Sequence, residues 1–166
     1  MPRKSIFNHG TLPDTSGNVF MEPYTVKASN GVWGFGVWIF IDTATRDGLR
    51  GRFFVPDDYA SGANLVVVWT STATSNDVEW DFDYRAVGGD DAESLDQAGT
   101  QESVNANDTA PSAIHERMEI TIPLTDANFA PGDEVEFELF RDGADAGDLM
   151  AGPAILLDAL FEWTAT

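Results

Sequence analysis

"VEWDFDYRAV" (Val78–Val87) alternates without a break. Val78, Trp80, Phe82, Tyr84 and Ala86 stand on one side, and Glu79, Asp81, Asp83 and Arg85 on the other. A period of two belongs to a β-strand with one apolar face. Residues i and i+2 then share a face about 7 Å apart, from the strand rise. Carboxylates in a row repel one another, so Glu79, Asp81 and Asp83 are expected to form the solvated side of the strand rather than a reactive pair.

The same alternation recurs on either side of this stretch. In "MEITIPL", Met118, Ile120, Ile122 and Leu124 share a face; in "VEFELF", Val135, Phe137 and Leu139 oppose Glu136 and Glu138. In "AILLDALFEW", Ile155, Leu157, Ala159, Phe161 and Trp163 oppose Asp158 and Glu162. Strands are expected over 19–28, 31–42, 51–55, 65–72, 78–87, 115–124, 134–142 and 153–164. A slip of one residue would bury the carboxylates, so register is firmly specified. Connectors carry turn residues: "ASNG" (Ala28–Gly31), "RDG" (Arg46–Gly48), "VPDDYASGAN" (Val55–Asn64), "APGDE" (Ala130–Glu134) and "RDGADAGD" (Arg141–Asp148). No useful helical period exists; "LTDANFAPGD" suits a short 3₁₀ turn capped by Thr125 or Asp126.

Two segments lack periodicity. Residues 1–17, "MPRKSIFNHGTLPDTSG", read as an extended arm preceding one domain over 18–166. Residues 88–111 are rich in Asp, Ser, Gly and Asn and read as a long acidic loop. About eight antiparallel strands with one long crossover imply an all-β sandwich of jelly-roll type, with an immunoglobulin-like sandwich as the alternative.

Composition narrows the chemistry. The 166 residues include no Cys, which excludes disulfides, thiolate metal sites and a cysteine nucleophile. The net charge is −19, which disfavours nucleic acid and anionic membranes as partners. Residues 1–52 carry six basic and four acidic residues; the remainder carries three basic and 24 acidic. An Asp-rich, Lys-poor surface keeps a protein hydrated in saline as well as ordinary surroundings. Neither a signal peptide nor a membrane span is evident, so a soluble protein made in a cytoplasm is expected.

The two histidines, His9 and His115, are too few for a three-histidine metal site, and no nucleophile-elbow pattern appears. No catalytic residues and no enzyme activity are expected. "DGADAGD" sets Asp142, Asp145 and Asp148 three apart with glycines between, the oxygen-rich composition that suits Ca²⁺. That spacing matches no standard calcium loop, and Asp–Gly turns are common without metal. No cofactor is therefore expected, with these three aspartates the candidate ligands should calcium bind. "GVWGFGVWIF" interleaves Gly with Trp33, Phe35, Trp38 and Phe40; these aromatics are expected between the sheets, with sugar stacking as the alternative.

The order "RFFVPDDYASGANLVVVWTS", "VEWDFDYRAVG", "MEITIPLTDANFAPGDEVEFELFRDGADAGD" and "GPAILLDALFEWT" resembles the small jelly-roll virion proteins of tailed bacteriophages. The likeness covers roughly residues 31–164. It rests on Phe54, Pro56, Asp57, Asp58, Tyr59, Trp69, Arg141, Asp142, Asp145 and Asp148, with Val55 inserted between the Phe and the Pro. The resemblance implies turn and core roles for these residues. It further implies a capsid decoration (cement), head-fibre or tail accessory protein, frequently trimeric. The leading expectation is a homotrimeric decoration protein on the virion exterior that binds the major capsid protein, with Ile6, Phe7 and Phe20 as contacts. The alternative is a tail, fibre or carbohydrate-binding β-sandwich module that recognises host glycan. A small β-sandwich hydrolase is the least supported reading.

Overall fold

Eleven strands form wherever alternation or a polar edge allows it. In the computed structural model, which describes residues 1–7, 10–24, 34–88, 93–96 and 99–166, they are β1 (Arg3–Ser5), β2 (Leu12–Pro13), β3 (Val19–Tyr24), β4 (Phe35–Phe40), β5 (Arg46–Phe54), β6 (Tyr59–Ser71), β7 (Asp77–Val87), β8 (Glu102–Thr109), β9 (Met118–Pro123), β10 (Glu134–Asp142) and β11 (Ala154–Ala165). A single 3₁₀ turn spans Asp126–Asn128, and no α-helix occurs among the described residues. Thr125 holds the N-cap position but its side chain makes no capping bond.

The strands make two antiparallel sheets. One runs β3-β4-β11-β6-β9, with β1 also on β11; the other runs β2-β5-β10-β7-β8. The all-β jelly-roll sandwich expected from the alternation is what forms. The core lies between the sheets. Val78, Trp80, Phe82 and Tyr84 are all buried there, opposite Trp69, Leu65, Phe161 and Trp163. Trp80 meets Phe40 and Trp69 edge-on, with ring centroids 5.4 and 6.0 Å apart. Each large apolar side chain so buried contributes roughly 1.5–3 kcal/mol.

Several expectations change. The stretch 88–111 is not one loop, because Glu102–Thr109 pairs with β7 as β8. "RDG" is no turn: Arg46, Asp47 and Gly48 begin β5, in register with Asp142, Arg141 and Phe140. Gly48 is needed in that strand, since a Cβ there would lie 2.4 Å from the Phe140 ring. Of the "GVWGFGVWIF" aromatics, Phe40 is in the core and Trp38 packs against it, while Phe35 is exposed. Trp33 and His9 lie outside the described residues, as does the end of the strand expected over 19–28.

The N-terminal segment is built into the sandwich rather than standing off it. β1 pairs with Leu160–Glu162 of β11 in one sheet, and β2 pairs with Leu49 and Arg50 of β5 in the other. Between them Ile6 donates its N–H to Ala159 O at 2.9 Å and buries its side chain in the core, 1% exposed. Phe7 is half-buried, its ring 6.4 Å from Phe137. The segment thus closes the open side of the sandwich. Replacing Ile6 by Ala should destabilise the chain by about 2–5 kcal/mol, the range for a truncated core aliphatic; denaturant unfolding measures it, and an effect below 1 kcal/mol (the ~0–1 kcal/mol scale of surface changes) would refute the closing role.

Candidate functional site

The outer face of the β2-β5-β10-β7-β8 sheet carries the polar halves of the alternating strands. Register sets Asp83 beside Glu138 and Arg50, and Arg85 beside Glu136 and Arg52. These residues floor a groove of about 440 Å³. Gly10 and Leu12 wall it on the N-terminal side, and Gly99 and Thr100 wall it on the β8 side. The floor is laced by ion pairs: Arg50 to Glu138 at 2.5 Å, Arg52 to Glu134 at 2.7 Å and Arg85 to Glu136 at 2.5 Å. Arg50, Arg52 and Arg85 balance Asp83, Glu136 and Glu138, so the groove is a near-neutral window in a chain of charge −19. Exposed pairs of this kind contribute about 0–1 kcal/mol to stability. Their donors and acceptors can therefore be redirected to a ligand at little cost.

The sequence signal for this floor was present. Arg50 and Arg52 share one face of a strand by period two, but reading "RDG" as a turn and starting the strand at residue 51 left Arg50 off it.

At the far end of the same face the row of carboxylates is not solvated as expected. Glu79 is 2% exposed and Asp81 8%, whereas Asp83 is half-buried. Alternation sends all three outward, but the turn after β10 folds over Glu79, and Arg46, lying on Phe140 beside it, covers Asp81. That turn is pinned at Gly143, whose N–H donates to Thr45 O at 3.1 Å; a Cβ there would lie 1.9 Å from Thr43 O. Arg46 stacks on Phe140, 3.7 Å from its ring centre, and donates to Asp81 at 2.8 Å and Asp83 at 3.0 Å.

The three candidate calcium ligands separate. Asp148 is taken by Arg141, a side chain 1% exposed that donates to both Asp148 oxygens at 2.8 and 2.9 Å and to Met150 O and Gly152 O. Asp148 also accepts the Glu79 N–H. It is a structural anchor, as the resemblance implied for Arg141 and Asp148. Asp142 and Asp145 accept N–H groups of their own turn, from Ala144 and Gly147. Among the described residues no three Asp, Glu or His side chains converge as a ready metal site.

The expected partner contacts divide similarly. Ile6 faces its own core and Phe7 packs beside it, so neither forms an apolar anchor on a free arm. Phe20 lies on β3, 37% exposed; its neighbour Met21, also exposed, takes the opposite face, and the exposed Phe35 pairs with Tyr24 on the Phe20 side. His115, in the turn before β9, hydrogen-bonds to the Tyr24 hydroxyl.

No family model matches the chain, and no curated protein matches it. Solved structures do share its architecture. A family 35 carbohydrate-binding module from Clostridium thermocellum superposes with a TM-score of 0.51 at 14% identity, over 97% of each chain. The K1 cleaved adhesin domain of Lys-gingipain from Porphyromonas gingivalis W83 gives 0.51 at 11%, over 99% of this chain and 98% of that one. A cycloisomaltooligosaccharide glucanotransferase of Paenibacillus sp. gives 0.51 at 12%, over 96% of this chain and 18% of the enzyme. At these identities the likeness concerns the fold. Jelly-roll carbohydrate-binding modules share it, and none of these three is a virion protein.

Burial pushes the Glu79 carboxyl up to about 7, and the nearby Asp145, Asp81, Asp142 and Asp148 push the same way. Burial also raises Asp81, against the opposing pull of Arg46. A carboxyl raised on folding holds its proton more tightly in the folded state, so its contribution is complete below the ordinary carboxylate range and is lost as pH rises towards about 7. Unfolding free energy should therefore fall between about pH 5 and pH 8, and Glu79→Gln should flatten that fall. Equal slopes for the two proteins in denaturant titrations would show that Glu79 does not titrate there.

Proposed function

We propose that this chain is a carbohydrate-binding β-sandwich module, without catalytic activity, and that a glycan lies along the groove on the outer face of the five-stranded sheet. The observation that carries this reading is the groove itself: an open trough floored by paired guanidinium and carboxylate groups. Sugar hydroxyls both donate and accept, so each needs a donor beside an acceptor. Arg50 with Glu138, and Arg85 with Glu136, supply that alternation at strand spacing. Charge-assisted hydrogen bonds of this kind contribute about 1.5–3 kcal/mol each. Leu12, exposed on the wall, offers apolar surface to the C–H face of a sugar ring. The neutral floor avoids repelling a ligand from so acidic a chain. The shared fold of the family 35 carbohydrate-binding module supports the reading.

A second reading follows from the resemblance to phage virion proteins: a homotrimeric decoration protein bound to the major capsid protein on the virion exterior. The observation that favours it is the exposed pair Phe20 and Phe35, which take the same face of the β3–β4 edge and are the available apolar contact now that Ile6 is buried.

Affinity electrophoresis and titration calorimetry against a panel of neutral and acidic polysaccharides test the leading reading. Binding is expected for at least one glycan, weakened about tenfold or more by Arg50→Ala or Glu138→Ala, the loss of one charge-assisted bond. The melting temperature should barely move in either variant, because the pair is exposed. A panel with no binder, or binding indifferent to both substitutions, would overturn it.

A further inference from the structure

Among the described residues, two carboxylate oxygens are buried without a hydrogen-bond partner: Glu79 Oε2 and Asp81 Oδ1. Both residues are more than nine-tenths buried. They are alternate residues of β7 and project from the same outer face, about 7 Å apart along the strand. Leaving an anionic oxygen buried and unpaired is costly, so such an atom marks a position where something else completes the structure.

Further acids border them. Asp142 and Glu79 are the next residues beyond the last register pair of their strands, Arg141 with Trp80, so they share one row across the sheet. Asp145 lies in the overlying turn. Gly147 of that turn presses on Asn107, the β8 partner of Glu79: a Cβ on Gly147 would fall 2.4 Å from Asn107 Nδ2 and 3.1 Å from Asp145 Oδ1. The turn therefore roofs Glu79 and brings Asp145 over it. Arg46 offsets the charge from one side only. It engages Asp81 through Oδ2, leaving Oδ1 unpartnered, and stands 3.9 Å from Asp142.

We propose that a calcium ion binds between Glu79 Oε2 and Asp81 Oδ1 beneath this turn, with Asp145 as the ligand from the roof. Hard oxygen donors on a strand and a glycine-containing turn suit Ca²⁺, which accepts six to eight ligands in irregular arrangements. Mg²⁺ demands a near-ideal octahedron. The ion draws in the Glu79 and Asp145 side chains, while Asp148 stays with Arg141. This site lies beyond the sugar groove on the same sheet and does not depend on the glycan reading.

The test uses the full chain, stripped with EDTA and melted at constant ionic strength with CaCl₂ or MgCl₂. Calcium at about a hundredfold over its Kd should raise the melting temperature by about 5–10 °C, and magnesium should do much less. Glu79→Gln should abolish the calcium shift while its ion-free melting temperature equals or exceeds that of the wild type. Asp145→Asn, in the exposed turn, provides a second variant and should also lose the shift. Equal shifts from the two cations would mean general screening of an acidic chain and would overturn the proposal. So would a calcium shift that survives both substitutions, or no shift at millimolar calcium.

Discussion

The fold depends on the packing of Trp80 between Phe40 and Trp69. These rings come from three strands and both sheets, and their edge-on contacts fix how the sheets face each other. With Trp80 held inward, the period of two leaves no freedom for its neighbours: Glu79, Asp81, Asp83 and Arg85 must project outward. The polar face that carries the groove is thus a direct consequence of the apolar one. What distinguishes one end of that face from the other is its cover. The turn after β10 closes over Glu79 and Arg46 lies over Asp81, whereas the Asp83 and Arg85 rows stay open between the N-terminal segment and the residues before β8.

Closure at the sandwich edge is the second organising feature. A jelly roll with an open side would expose Phe137 and Phe161 to water. Ile6 and Phe7 cover that side, and the short strands on either side of them tie the segment to both sheets. The N-terminal wall of the groove is the continuation of this tie, so stability and the shape of the binding face are coupled through the same few residues.

Much of this was legible in the sequence. β10 forms over Glu134–Asp142, where the alternation of "VEFELF" placed it, and β7 and β11 lie within one residue of their expected limits. The misses have physical causes. β8 has polar or small residues on both faces because it is a sheet edge, with Val104 and Ala106 its only apolar residues facing inward, so its period of two is faint. β1 and β2 are too short to show any period. β5 begins with "RDG", a strong local turn signal overridden by pairing with β10. Alternation also states which side a residue takes and nothing about what lies above it, which is why Glu79 and Asp81 looked wet. The aspartates of the turn were recognisable as acidic, but the capture of Asp148 by Arg141 depends on the loop bringing residues seven apart together around a buried guanidinium.

The strand edges carry a further consequence. Unpaired backbone at a sheet edge is a template for another chain, and proteins blunt it with proline, charge or short strands. Here β2 ends in Pro13, β3 contains Pro23, β9 ends in Pro123, β1 carries Arg3 and Lys4, and β8 carries Glu102 and Asp108. Edge-to-edge zippering into fibrils is disfavoured at every one of these borders. Assembly of copies is therefore favoured through faces and loops over extension of a sheet at these strands.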